Sequence, residues 1–398
     1  MIQRKILKNG MTVIFKERRN DVVSVAFSVR FGGANEKAAD KGIAHFIEHM
    51  LYKGTPTRDS KKISSEIEKN GGELNGFTSE QMTSFWCKMP AKHIGVALDV
   101  LSDMVKNPLF DEKELEKERL VIFEEMKMYK DNPRMHVFEE IKKLMYKGDF
   151  SIPIIGTTES MHSNDRAKLK EFFDRVYRPE NMILTVVGEA DFDKICDFAE
   201  KNFEKSSDVG EIAKPVVECE KGELIEKRKA IDQANLIVAF HAPLPDEDKF
   251  YAANVLNVLM GGGMSSRLFS EIREKRNLAY AVKGFVETER DYCYSGIYVG
   301  TMPENVDKVK DLILKEFEKV VSELDEDEVE QVKEQIIGNH LISQEDSHNV
   351  LLDLLISEIR GNAEDAEEFV EKIKAVKLED VKGLAKIGDY SFFALVPE

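Results

Sequence analysis

The sequence predicts an α+β fold built twice, and three observations carry that reading. The chain has 398 residues, 42% apolar and 33% charged, enough to bury more than one core, so two domains are expected. Segments alternating every second residue interchange along the chain with segments of helical periodicity. The order of these segments then repeats: Phe110-Asp111-Glu112-Lys113-Glu114-Leu115 is mirrored by Leu324-Asp325-Glu326-Asp327-Glu328-Val329, an offset of 214 from Asp111 to Asp325. The expectation is two homologous domains, 1–210 and 220–398, each a mainly antiparallel sheet with helices packed on it.

In order, Ser24–Phe31 places apolar residues at 25, 27, 29 and 31 and reads as a half-buried strand ended by Gly32-Gly33. Gly42–Leu51 reads as one helix with Asp40 available as its cap. Ser60 is the expected cap of a short helix carrying Ile63 and Ile67, stopped by Asn70-Gly71-Gly72. Strands follow at Glu73–Ser79 and Thr83–Met89, then a helix from Lys92 to Val105. Asp111 caps a long helix that is apolar almost all round at Leu120-Val121-Ile122-Phe123, which predicts that it is buried. Asn181–Gly188 is an apolar strand followed by a helix from Phe192 to Phe203. Periodicity is lost from Lys205 to Pro215, the expected linker.

The second half predicts a strand at Asn235–Phe240 and helices at Phe250–Met260 and Ser265–Lys275. Strands near 279–286 and 294–299 and a helix carrying Val306, Val309, Ile313, Phe317 and Val320 complete the pattern.

The chemistry concentrates in His45-Phe46-Ile47-Glu48-His49. Side chains four apart on a helix lie one above the other, so His45 and His49 can present both imidazoles to one point, where a zinc ion would sit. Glu48 borders the same face and can take a proton from a water held there. Catalytic zinc sites use three protein ligands and keep a fourth position open, so a third ligand must come from elsewhere. The long helix supplies candidates: Glu118 and Glu125, two turns apart, share one stripe, while Glu124 points about 100° away. At the 214-residue offset they fall on Val332 and Asn339, and Phe250–Met260 contains no histidine. The second half is therefore expected to keep the fold without the metal ligands.

A net charge of −17 argues against nucleic-acid binding. No apolar run is long enough to span a bilayer and the first residues show no apolar leader pattern, so a cytoplasmic protein without a membrane partner is expected. Cys87, Cys196, Cys219 and Cys293 are far apart and form no C-x-x-C pair, consistent with reduced thiols.

The chain resembles the pitrilysin-type inverted-zincin metallopeptidases, in particular the short two-domain branch related to mitochondrial processing peptidase. The resemblance rests on His45 through Thr55, Asn75-Gly76-Phe77-Thr78, Glu118 with Glu125, and Ser265-Ser266-Arg267-Leu268 through Arg273 to Tyr280. It implies a zinc-dependent endopeptidase acting on unfolded peptides in a closed chamber. His45, His49 and Glu125 would ligate Zn2+, Glu48 would be the general base, and Glu118 would support the site from behind. Asn75, Gly76 and Phe77 would pair with an extended peptide substrate, Gly76 standing where the family usually has alanine. Arg273 and Tyr280 would hold substrate and stabilise the oxyanion. In relatives of this size that pair faces a zinc site from a second subunit, which implies a homodimer with composite sites. The catalytic subunit of a heterodimeric processing peptidase and a non-catalytic peptide-binding or structural member of the fold are the alternatives.

Overall fold

A computed structural model describes residues 2–205 and 212–398, so most of the expected linker, 206–211, lies outside the described residues. Two compact units are present: Met1–Met126 with Ile152–Val216 and Ser343–Ala366, and Lys127–Ser151 with Val217–Ile342 and Glu367–Glu398. They do not follow the expected ranges 1–210 and 220–398 end to end, because a segment of each half of the chain belongs to the other unit.

Among the described residues the strands of the first half are β1 (Ile2–Ile6), β2 (Thr12–Glu17), β3 (Val22–Val29), β4 (Glu73–Thr78), β5 (Thr83–Pro90), β6 (Tyr146–Lys147) and β7 (Met182–Gly188). Those of the second half are β8 (Glu218–Cys219), β9 (Glu223–Arg228), β10 (Ala234–His241), β11 (Ala279–Thr288), β12 (Cys293–Thr301) and β13 (Ser391–Pro397). The first unit's sheet runs β1-β2-β7-β3-β5-β4 and the second's β11-β12-β10-β13-β9. Read from the β4 and β11 ends the two orders correspond, and so do the senses. β3 is antiparallel to β5 and β7 as β10 is to β12 and β13, and the parallel pair β2–β7 matches β9–β13. The fold is a duplicated α+β unit.

The helices that matter here are α1 (Ile43–Leu51), α2 (Ser60–Glu68), α3 (Ile94–Lys106), α4 (Glu112–Asp131) and α5 (Pro133–Met145). α5 packs in the second unit on β13 and β10, and its equivalent, the helix Ser347–Arg360, packs in the first unit on β7 and β3. The starts of the two helices, 133 and 347, differ by the same 214 residues. Val350, Leu351, Leu354 and Leu355 are buried against Ile14, Ala26, Ile183 and Val187, each such side chain contributing about 1.5–3 kcal/mol. Glu358 fixes the helix by accepting from Arg4 at 2.8 Å and from Arg30 at 2.7 Å.

This helix corrects the half-buried reading of β3. The strand spans Val22–Val29 and is buried on both faces, Ser24 and Ser28 included. Ser24 meets the Ser347 hydroxyl at 2.9 Å, and Ser28 meets that of Ser84 at 2.8 Å, so neither buried hydroxyl lacks a partner. α4 corrects the opposite way. Leu120 and Val121 are 65% and 49% exposed, and only one stripe, Leu115, Glu118, Arg119 and Ile122, is buried. The cap of α2 is Asp59, accepting from the Lys62 amide at 2.7 Å, rather than Ser60. The expected helix Ser265–Lys275 is reduced to a π-type segment at Phe269–Glu274.

Candidate metal centre and peptide edge

α1 buries Ile43, Ala44, Phe46, Ile47, Met50 and Leu51, leaving His45, Glu48 and His49 on its half-buried face. Its N-terminus is made by Gly42, whose φ of +86° favours glycine and whose added Cβ would lie 2.6 Å from the Ile155 carbonyl. Asp40 does not cap it. Asp40 lies in a preceding 3₁₀ turn and pairs with Lys168 at 2.7 Å. The buried Glu36 carboxylate does that work, accepting from the amides of Gly42 at 2.9 Å and Ala44 at 2.7 Å, where free N–H groups and the helix dipole favour an anion.

α4 begins as expected, with Asp111 accepting from the amides of Lys113 and Glu114. Arg119 fastens it by donating to the carbonyls of Met161 and, at 3.2 Å, Asn164. Glu118 and Glu125 then both reach α1. His45 Nε2 and His49 Nε2 lie 3.7 and 3.6 Å from the same oxygen, Glu125 Oε2, and the three candidate ligand atoms fall within 4.8 Å of one another. Ligand bonds of about 2.0–2.1 Å in a tetrahedron put neighbouring donors roughly 3.4 Å apart, so two nitrogens and a carboxylate oxygen at these separations fit a zinc ion with one position left open. His49 Nδ1 is 3.1 Å from Glu118 Oε2, which directs Nε2 toward the centre. Glu124 is exposed and takes no part.

Without metal the two imidazoles separate in charge. Burial and the neighbouring His49 push His45 down to about 4. Burial also works to lower His49, but its bonds to Glu118 and Glu125 outweigh that and raise it to about 9. Glu48 is raised by burial, against the opposing pull of its bond to Thr78. The Thr78 hydroxyl donates to Glu48 Oε2 at 2.7 Å, leaving Oε1 unshared by that bond.

Thr78 ends β4, which carries Asn75, Gly76 and Phe77. β4 pairs with β5 in the register Asn75↔Trp86, Gly76↔Phe85 and Phe77↔Ser84 and lies at the edge of its sheet. Among the described residues no strand pairs with its outer side, so it can accept an added one. Phe77 packs with Trp86 on the core beneath the Ser347–Arg360 helix. At Gly76 an added Cβ would sit 2.6 Å from Tyr52 Oη and 2.9 Å from the Ser84 carbonyl, which accounts for the absence of a side chain.

Arg273 and Tyr280 belong to the second unit and contact each other. Arg273 Nη1 donates to the Tyr280 carbonyl at 2.9 Å and its guanidinium lies 5.0 Å from the Tyr280 ring centroid. The β11–β12 register breaks between Ala279 and Ala281, so Tyr280 is a bulge residue, and it is 77% exposed. Bulges of this kind re-aim a side chain away from the pleat.

Residues 12–158 match the family described as Insulinase (Peptidase family M16), and residues 164–336 match the one described as Peptidase M16 inactive domain. Over 417 residues the chain is 33% identical to the uncharacterized zinc protease YmxG of Bacillus subtilis (strain 168), a match covering 100% of this chain and 98% of that protein. The chain belongs to the M16 peptidase family. An uncharacterized zinc protease of Rickettsia felis is also 33% identical, over 342 residues covering 85% of this chain and 83% of its own. A protease from Helicobacter pylori shares the M16 fold with a TM-score of 0.92 at 22% identity, over 100% of this chain and 99% of that one.

The second M16 segment contains neither the paired histidines nor the two carboxylates. Sequence reasoning gave no role to Glu36, Lys53 or Thr78. Thr78 and Lys53 stand inside stretches that carry the M16 resemblance, but nothing in their spacing shows that one reaches Glu48 and the other, at 2.6 Å, Glu118. Among the described residues no helix is long and apolar enough to cross a membrane.

Proposed function

We propose that the protein is a zinc-dependent endopeptidase that hydrolyses unfolded peptides, with His45, His49 and Glu125 holding the metal. The observation that carries this reading is the convergence of both imidazole Nε2 atoms on Glu125 Oε2 beside a half-buried carboxylate, Glu48. Zinc, when bound, supplies Lewis acidity that polarises a peptide carbonyl and makes water acidic enough to attack near neutral pH. Glu48 Oε1 takes the proton from the attacking water and returns it to the nitrogen of the leaving amine. Thr78, by donating to Oε2, holds the carboxylate in one rotamer and ties it to the strand on which the substrate lies. The substrate pairs in extended form with the open edge of β4 at Asn75, Gly76 and Phe77, which fixes the peptide by its backbone and accepts many sequences. Arg273 and Tyr280 hold the substrate backbone and the developing oxyanion. Two copies assemble into a homodimer with composite sites in a closed chamber, each copy providing the Arg/Tyr pair for the other's metal centre.

The test is metal content together with hydrolysis of a mixed, unfolded peptide library, run on the wild type and Glu48→Gln. Zinc is expected in both, with turnover lower in the variant by about 10²–10⁴-fold. Zinc in both proteins with equal cleavage removes Glu48 from the mechanism; zinc in both without cleavage by either turns the reading to a binding protein or a missing partner subunit.

A further inference from the structure

His49 and Lys53 stand one helical turn apart at the end of α1, where the Lys53 amide bonds to the Met50 carbonyl at 3.0 Å. They grip one carboxylate from opposite oxygens. Lys53 Nζ lies 2.6 Å from Glu118 Oε1, and His49 Nδ1 lies 3.1 Å from Glu118 Oε2. Glu118 is itself 7% exposed, and a carboxylate so buried requires partners. His49 supplies one and the ammonium supplies the other, so each oxygen is held and the plane of the carboxylate is fixed.

We infer that Lys53 is a positioning residue for the metal: by pinning Glu118 Oε1 it aims Oε2 at His49 Nδ1 and thereby aims His49 Nε2 at the ion. The chain of contacts runs Lys53, Glu118, His49, with Glu125 Oε2 3.6 Å beyond His49 Nε2. Partners one shell out from a metal ligand set affinity by factors of about 10–100. Two other roles for Lys53 predict different results. A lysine that acts only as a nearby positive charge repels the ion, so its removal tightens binding. A lysine that only completes the C-terminal end of α1 leaves affinity alone, and its removal lowers only the stability of the fold.

The inference rests on the metal reading above, and the experiment separates the two. Zn2+ affinity is measured on the full chain by competition against a chelator, with Co2+ substitution as a spectroscopic readout of ligand geometry. The proteins are wild type, Lys53→Met, Lys53→Arg, Glu118→Gln and Lys53→Met with Glu118→Gln, each shown folded without metal by circular dichroism. Lys53→Met is expected to bind Zn2+ about tenfold more weakly and to alter the Co2+ spectrum, with Lys53→Arg recovering most of the loss. Once Glu118 is Gln, removing Lys53 is expected to change nothing further. Tighter or unchanged binding by Lys53→Met, or an equal loss in both Glu118 backgrounds, overturns the inference. A wild type that binds no Zn2+ overturns the metal reading itself.

Discussion

The two units share a sheet order and differ most at one pair of elements, the helix that packs on the edge strand. In the first unit α1 packs on β4 and presents His45, Glu48 and His49. In the second, the helix Phe250–Gly261 packs on β11, and its buried polar residue is Asn257, which donates to the Phe285 carbonyl at 2.8 Å and to Ser295 Oγ at 2.9 Å. One helix sets its polar groups beside the carboxylates of α4; the other spends its polar group fastening helix to strand. The long helices differ in the same sense. Arg119 and, 214 residues on, Lys333 are both buried cations donating to backbone carbonyls, Lys333 to that of Lys374 at 3.1 Å. Glu118, by contrast, has become the buried Val332, and Glu125 the exposed Asn339. What holds the fold was kept in both copies, and the candidate metal ligands stand in one.

The largest expected effect tests that asymmetry directly. Metal analysis of the wild type should give one zinc per chain, and His49→Ala or Glu125→Ala should lower it by at least about tenfold because a three-ligand site loses a ligand. Asn257→Ala should leave the stoichiometry at one while lowering stability, by about 1–3 kcal/mol for the hydrogen bonds lost. Full zinc in Glu125→Ala would transfer the third ligand elsewhere, and two zincs per chain would end the contrast between the units.

Much of this was legible because it is local or repeats. The His45/His49 spacing, the stripe shared by Glu118 and Glu125, and the 214-residue offset are all periodicities, and a periodicity survives without knowledge of the fold. What was not legible depends on residues far apart in sequence. Ser24 and Ser28 read as a solvent face because nothing local announces Ser347 and Ser84 as their partners. Asp40 was the nearer cap for α1, yet Glu36 folds back over two turns of chain to reach the amides. Leu120 and Val121 break the rule that apolar residues are buried, a rule that holds in one direction only. Tyr280 could be matched by resemblance, but its bulge is a matter of register with Thr301 and Gly300 and has no signature in composition.

A smaller effect sharpens the comparison at the two helix-to-strand contacts. Gly76 and Gly284 each sit where the helix presses on the edge strand, but against different atoms. A Cβ at Gly76 meets Tyr52 Oη at 2.6 Å, whereas one at Gly284 meets the Asn257 backbone carbonyl at 2.8 Å. Both alanine variants should lose about 1–3 kcal/mol by overpacking. Tyr52→Phe should recover part of the loss at Gly76, about 0.5 kcal/mol or more in a double-mutant cycle, though the Ser84 carbonyl at 2.9 Å keeps recovery incomplete. At Gly284 the nearest atom is backbone, so trimming Asn257, whose Oδ1 lies 2.9 Å away, should relieve Gly284→Ala less. Strict additivity between positions 52 and 76, measured by denaturant unfolding, would remove the hydroxyl as the cause.

The smallest expected effect is the pH dependence that the first unit's helix has and the second's lacks, since Asn257 does not titrate. In the metal-free protein His49 is raised from 6.5 to about 9, its bonds to Glu118 and Glu125 overcoming burial. A base whose folded pKa is raised contributes stability fully below its unfolded value and loses it as the pH climbs through the folded one, here between 6.5 and 9. His45, lowered to about 4 by burial and by His49, acts on the other side. Its neutral form favours folding above 6.5, and that contribution is lost as the pH falls toward 4. Together they place a maximum near pH 6.5 in the melting temperature of the metal-free chain. The melting temperature should decline toward pH 9, and His49→Gln should flatten that limb and, by removing a charge that helps hold His45 down, shorten the acid one as well. An alkaline limb unchanged in His49→Gln would assign it to other groups and detach the charge separation of the two imidazoles from the stability of the site.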